Sequence, residues 1–341
     1  MTLDARRLLE SPDLFPQRFD DGELVIAPMS RHSYHASIFT DAGRAVTAGD
    51  ERWAVPLGAL VDLVARHGAP VPAPAFIFHI AHCSSTLLAR ALDRPGASLV
   101  IREPAVLRAL ALAPALQGPA SDAGARRALE AVLRLLGRRY APEERVVIKA
   151  NVPVNFMLDA IDRVLGKPVG VLLHCSLQAY LVAALKTPQR RAWAQHVVRE
   201  LAGAIGAMDA FATVDVEALT PARAAALLWL AQMRSFEIAL TANDGLRALD
   251  SETFHAAPAA TLHRCATHLG IDMSAADARD IVASDLFGSH AKAPQQRYGD
   301  GDRRAELSLR GAELAGEIDA ARAWLEALSP DGLPGDFARR L

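Results

Sequence analysis

The stretch FIFHIAHCSSTLLARAL, from Phe76 to Leu92, decides how this chain is read. Phe76, Ile77, Phe78 and Ile80 form an apolar run that stops at His82, Cys83, Ser84, Ser85 and Thr86. Leu87, Leu88, Ala91 and Leu92 then recur at helical spacing. A buried strand, a short polar loop and a helix follow from that pattern. The first amides of such a helix have no internal partner and carry partial positive charge. In an α/β sheet they open into the crevice at the carboxyl edge of the strands. The hydroxyls of Ser84, Ser85 and Thr86 suit two tasks, capping the helix or donating to a bound anion. The second is the expectation here: the segment from His79 to Thr86 holds an anion at the start of a helix near Thr86. The segment contains neither glycine nor lysine, so the pattern G-x-x-x-x-G-K-[ST] of ordinary ATPases and GTPases is not met.

Further buried runs lie at 98–103 (SLVIRE), 145–150 (RVVIKA) and 168–175 (PVGVLLHC), alternating with helical patterns. They are apolar throughout, as strands covered on both faces are, and the alternation predicts an α/β fold with a parallel sheet flanked by helices. Residues 221–242 predict a long helix, and 305–328 a second, amphipathic one. GSHAKAPQQRYGDGDRR (288–304) predicts a polar surface loop. Before the α/β domain of 73–341, residues 1–72 predict a mixed extension. It holds short strand-like pieces in 22–41 and an amphipathic helix ending at Gly68. The proline-rich connector Ala69 to Ala75 follows it.

The 341 residues are 51% hydrophobic and 22% charged, enough to bury a sizeable core. A net charge of −2 argues against a general nucleic-acid partner. Cys83, Cys175 and Cys265 are far apart and odd in number, which implies no disulfide framework and a reducing, cytoplasmic setting. The first fifteen residues lack the apolar core of a signal peptide, and no transmembrane helix or membrane partner is expected. His32 and His35 stand three apart without an evident third ligand, so no metal is expected.

AHCSSTLLARAL resembles the phosphate loop of the sulfotransferases that use 3′-phosphoadenosine-5′-phosphosulfate, usually P-[KR]-S-G-[ST]-T before paired leucines. Ala81 stands at the proline, His82 at the basic residue, Cys83 at the serine and Ser84 at the glycine, while Ser85 and Thr86 keep the hydroxyls. Three more segments follow in the family's order. PGASLVIREPAVL ends its strand at Glu103-Pro104, and VVIKANVPVNFMLDAI is similar to a strand end written D-K-x-P-x-N, with Lys149 at the lysine and Asn151 close by. In 246–271, Pro258, Thr261, Leu262, Leu269 and Gly270 fall in register. The resemblance spans about 74–290. It implies a P-loop NTPase-like topology and the sulfate donor as co-substrate, with Cys83, Ser84, Ser85 and Thr86 at its phosphate.

One departure matters. The family reads the nucleotide 3′-phosphate with an arginine and a serine, where this chain has His174 and Val182 or Ala183. An aliphatic side chain and a neutral imidazole cannot replace them on a dianion. Arg190, Arg191, Lys292 and Arg297 are the candidate substitutes. For chemistry, Glu103 is the candidate base for the acceptor, and Lys149, ahead of His82, the cation for the leaving group. Three functions stay open: sulfuryl transfer to a hydroxyl or amine of a small molecule or glycan, a catalytically silent relative that binds a nucleotide or anion, and an ATP-dependent phosphotransferase. Nothing in the sequence names the acceptor or the oligomeric state.

Overall fold

The computed structural model describes residues 3–41, 43–68, 72–114, 122–330 and 332–341. The four apolar runs become strands β4 (Ala75–His79), β5 (Ser98–Arg102), β6 (Arg145–Lys149) and β7 (Gly170–His174). Strands β1 (Leu14–Asp20), β2 (Glu23–Pro28) and β3 (Trp53–Pro56) precede them as a separate antiparallel sheet. β8 (Leu246–Asp250) completes the main sheet, in the order β5-β6-β4-β7-β8, with every pair parallel. All five residues of β4 are buried, and Phe76, Ile77 and Phe78 are wholly inaccessible. Each such side chain contributes about 1.5–3 kcal/mol. A Cβ added to Gly170 would stand 2.9 Å from the Leu246 side chain and 3.3 Å from the Phe76 carbonyl, so glycine lets β4, β7 and β8 close up.

The chain leaves the central strand β4 for the edge, returns as β6, and then fills the other side with β7 and β8. The direction of winding therefore reverses at β4. Ligands of such sheets bind beyond the carboxyl ends of the strands at that reversal, which is where the His79–Thr86 segment lies.

The Pro221–Ala242 helix has the predicted bounds, with Thr220 capping and Pro221 in the first turn. Two predictions need correction. The single helix expected at 305–328 is two, Asp300–Glu313 and Ala315–Leu328, separated at Leu314. The break lets the first pack on the Leu177–Leu185 helix and the second on the Pro221–Ala242 helix. The surface loop expected at 288–304 is a hairpin of β9 (Ser289–His290) and β10 (Ala293–Arg297), followed by the start of the Asp300 helix.

In the N-terminal extension, β2 supplies the strand-like piece expected within 22–41, RHSYHA after it forms a helix, and the Leu57–His67 helix forms as expected. Of the proline-rich connector, residues 69–71 lie outside the described residues. The extension shares one core with the main sheet. Buried Asp93 accepts from Arg31 at 2.8 Å and contacts His35 Nδ1 at 3.1 Å. Arg138, also buried, donates to the carbonyls of Leu8, Leu14 and Leu135. Cys83, Cys175 and Cys265 are free and buried. Among the described residues no helix is long and apolar enough to cross a membrane.

Candidate functional site

The segment after β4 adopts the shape of a glycine-rich loop without glycine. Ala81, His82 and Ser84 have φ of 68°, 55° and 65°, each at a cost of about 1–2 kcal/mol for a residue with a Cβ. Neighbours over-determine that backbone. His79 Nδ1 accepts from the Ala81 amide at 3.0 Å. Asn155 donates to the His79 carbonyl at 3.0 Å and to Gln232 Oε1 at 2.9 Å, and Gln232 reaches the Ile80 carbonyl at 3.4 Å. Among the described residues no acceptor takes the amides of Ser84, Thr86 or Leu87. Strained loops held this way cluster at binding sites, and unpaired successive amides in a turn form a concavity suited to an anion.

Ser84, Ser85, Thr86 and Leu87 line a cavity of about 360 Å³. Its other walls come from the Leu177–Leu185 helix, the Ser251–Ala256 helix, the hairpin and the Asp300–Glu313 helix. Val182, Ala183, Phe287 and Leu307 make it partly apolar. Two of its cations are neutralised: Lys186 meets Glu306 at 2.7 Å, and Arg303 meets Glu252 at 2.6 Å and Asp300 at 2.8 Å. Arg190 and Lys292 make no salt bridge among the described residues. Arg190 instead donates to the carbonyl of Ala183 at 2.8 Å, one of the two positions, Val182 or Ala183, that the resemblance sets at the family's 3′-phosphate serine.

Several candidates are placed elsewhere. Cys83 turns inward, its thiol 3.4 Å from the Leu173 carbonyl and pushed up to about 11 by burial, so its side chain is not a ligand. Arg191 is held by Glu317 at 2.6 and 2.8 Å, and neither it nor exposed Arg297 lines the cavity. His82 does line it, within 5.7 Å of the Tyr180 ring and 5.3 Å of Trp193. Burial, followed by the charges of Arg190 and Lys292, holds its pKa well below the ordinary value. It is therefore neutral and adds no cation for a leaving group. His174 packs on Phe337 at 4.9 Å outside the cavity. His32 and His35 are exposed, and His35 lies against Asp93.

Glu103 and Lys149 meet, but in each other's company and not on the cavity wall. Lys149 is fully buried with its ammonium on Glu103, and His79 Nε2 lies 3.6 Å from the same carboxylate oxygen. Burial opposes the charge of Glu103, but Lys149 and then His79 more than offset it and hold the carboxyl far below the usual range. Expected to face the crevice, the two groups instead pair with each other off the cavity wall and tie the strand ends together beside the loop. Phe39 covers it, with the ammonium groups of Lys149 and Lys292 at 5.5 and 5.6 Å from its ring centre.

The sequence reading missed His255 and Asp300. His255 Nε2 lies 2.7 Å from Ser84 Oγ, and its Nδ1 lies 3.5 Å from Asp300 Oδ1. Desolvation, then Arg303, lowers the His255 pKa, so the ring is neutral at pH 7. A single histidine 171 residues from its serine has no local signature.

No family model matches the chain, and no curated protein does. Solved structures similar in shape include a sulfotransferase domain from the curacin biosynthetic pathway, at 10% identity and a TM-score of 0.43, covering 72% of this chain and 99% of that one. A sulfotransferase from Alicyclobacillus acidocaldarius is 17% identical with a TM-score of 0.39, covering 76% and 96%. One from Mycobacterium tuberculosis is 15% identical with a TM-score of 0.38, covering 72% and 77%. Likeness at this level assigns no activity.

Proposed function

We propose that the cavity binds 3′-phosphoadenosine-5′-phosphosulfate and that the chain transfers its sulfuryl group to a hydroxyl or amine. One observation carries the reading. Unpaired loop amides at Ser84, Thr86 and Leu87 border the same cavity as the two cations that lack carboxylate partners, Arg190 and Lys292. That arrangement suits a ligand with two separated anionic groups. The loop amides take the 5′-phosphate, as preorganised donors do where charge develops on a leaving group. Arg190 stands in for the missing serine at the 3′-phosphate, and Lys292 supplies the charge first assigned to Lys149. His255, neutral and in the cavity, accepts the acceptor's proton. The absent loop lysine weighs against ATP as donor.

Calorimetric titration with adenosine 3′,5′-bisphosphate, ADP and 5′-AMP tests this. The bisphosphate binds tightest. A charge-assisted contact is worth about 1.5–3 kcal/mol, so Arg190→Ala weakens the bisphosphate tenfold or more, by about that free energy, and leaves 5′-AMP nearly unchanged. A preference for ADP, or equal losses for both ligands, overturns the assignment.

A further inference from the structure

Ser84, His255 and Asp300 stand in the order nucleophile, base and orienting carboxylate, and all three line the cavity. We propose that they form a hydrolytic triad, with Ser84 the nucleophile toward carboxylic esters, an activity separate from sulfuryl transfer in the same cavity.

Three observations support it. The 2.7 Å contact between Ser84 Oγ and His255 Nε2 is a full hydrogen bond, and the far nitrogen of the ring faces Asp300. The tautomer that carries its proton on Nδ1, the nitrogen nearer Asp300, leaves Nε2 free to accept from the serine, and that tautomer activates a nucleophile. Asp300 is itself fixed, Oδ1 by Arg303 and Oδ2 by Arg304, each at 2.8 Å. Ser84 also occupies a left-handed turn, φ 65° and ψ 17°, between β4 and the Ser85–Ala91 helix. A strained strand-to-helix turn is the device that lifts a serine hydroxyl clear of its sheet. Ser84 does not cap the helix behind it, although capping is the ordinary task of a serine there. Its hydroxyl is committed to His255.

The reaction balances within this set. Ser84 Oγ bonds to the ester carbonyl carbon while its proton passes to His255 Nε2. The ester C–O bond breaks, and the departing alkoxide takes that proton. Water then gives its proton to His255 and adds to the acyl carbon, and Ser84 leaves with the proton restored. Ester and water become acid and alcohol. The free amides of Thr86 and Leu87 are the adjacent donors for the oxyanion. Val182, Ala183 and Leu307 offer a short acyl chain an apolar wall.

The full chain is treated with a fluorophosphonate probe and, separately, with p-nitrophenyl butyrate. The expected result is one adduct, on Ser84 by peptide mass analysis, with ester hydrolysis that the adduct abolishes. His255→Ala slows labelling about 100-fold or more, the usual share of a general base. Asp300→Asn slows it less and moves the imidazole limb of its pH profile to lower pH, because a negative charge beside the ring is gone. Absence of an adduct on the folded wild-type chain overturns the proposal, as does labelling that His255→Ala leaves unchanged. Bisphosphate binding on the same preparation separates the two readings: binding without an adduct refutes the triad alone, and an adduct without binding refutes the nucleotide assignment alone.

Discussion

Glu103 shows how far a residue's neighbours can change its meaning. A carboxylate at a strand end reads as a base, yet its contacts with buried Lys149 and with His79 make it a part-buried counter-ion. Removing one member of such a pair strands the other charge away from water. Glu103→Gln is therefore expected to cost about 3–5 kcal/mol at pH 7, read by urea unfolding, while Glu103→Gln with Lys149→Met recovers much of it. The folded pKa of Glu103 is depressed. Its contribution is accordingly full above the unfolded value of about 4.3 and falls away as pH drops toward the folded one, so the variant and wild type converge in acid. A Glu103→Gln chain as stable as wild type at pH 7 would show that the pair holds nothing together. The same lesson applies to Ala81, His82 and Ser84. Their side chains suggest no turn, and only the contacts of His79, Asn155 and Gln232 make the left-handed backbone affordable.

Among elements, the Pro221–Ala242 helix was fully legible, because a long alanine- and leucine-rich pattern between a proline start and an asparagine end has few alternatives. Its role was not. Gln232 is wholly buried in it and, through Asn155, ties the helix to the carbonyls that end β4. Gln232→Leu leaves the Ile80 carbonyl and the Asn155 amide short of partners, at about 1–3 kcal/mol. It should also loosen the loop, so that, under the proposed nucleotide assignment, the chain loses stability and bisphosphate affinity together. Lost stability with unchanged affinity would separate the helix from the loop. β8 and the hairpin of β9 and β10 escaped the sequence reading for another reason. LRALD is too short to show a period, and APQQR has no apolar face, since it is held by its pairing and not by burial.

Across the whole molecule, several histidines are buried uncharged. Burial draws the pKa of His79 and of His174 down to about 4, with Lys149 assisting at the first and Arg340 at the second. His82 is lowered in the same sense. Between about 6.5, the unfolded value, and 4, the unfolded chain takes up protons that the folded chain refuses, so stability falls as the solution is acidified. His79 alone accounts for a loss on the order of 3 kcal/mol across that window. Urea unfolding at pH 7.5, 6, 5 and 4 reads it directly; stability constant over that range would mean that these rings charge in place.

The parallel α/β sheet and the strand–loop–helix course of the segment after β4 were determined by the sequence alone. Buried strands need unbroken apolar runs, and a strand that passes through hydroxyl-rich residues into a helix has few other conformations. The cavity's chemistry was decided by tertiary structure. His255 reaches Ser84 from 171 residues away and Asp300 reaches His255 from 45, Arg190 meets a backbone carbonyl while Arg191 finds Glu317, and the charge of Lys149 is taken up by Glu103. Which charges remain free depends on which partners the fold brings within a few ångströms, and that distance has no local trace in the chain.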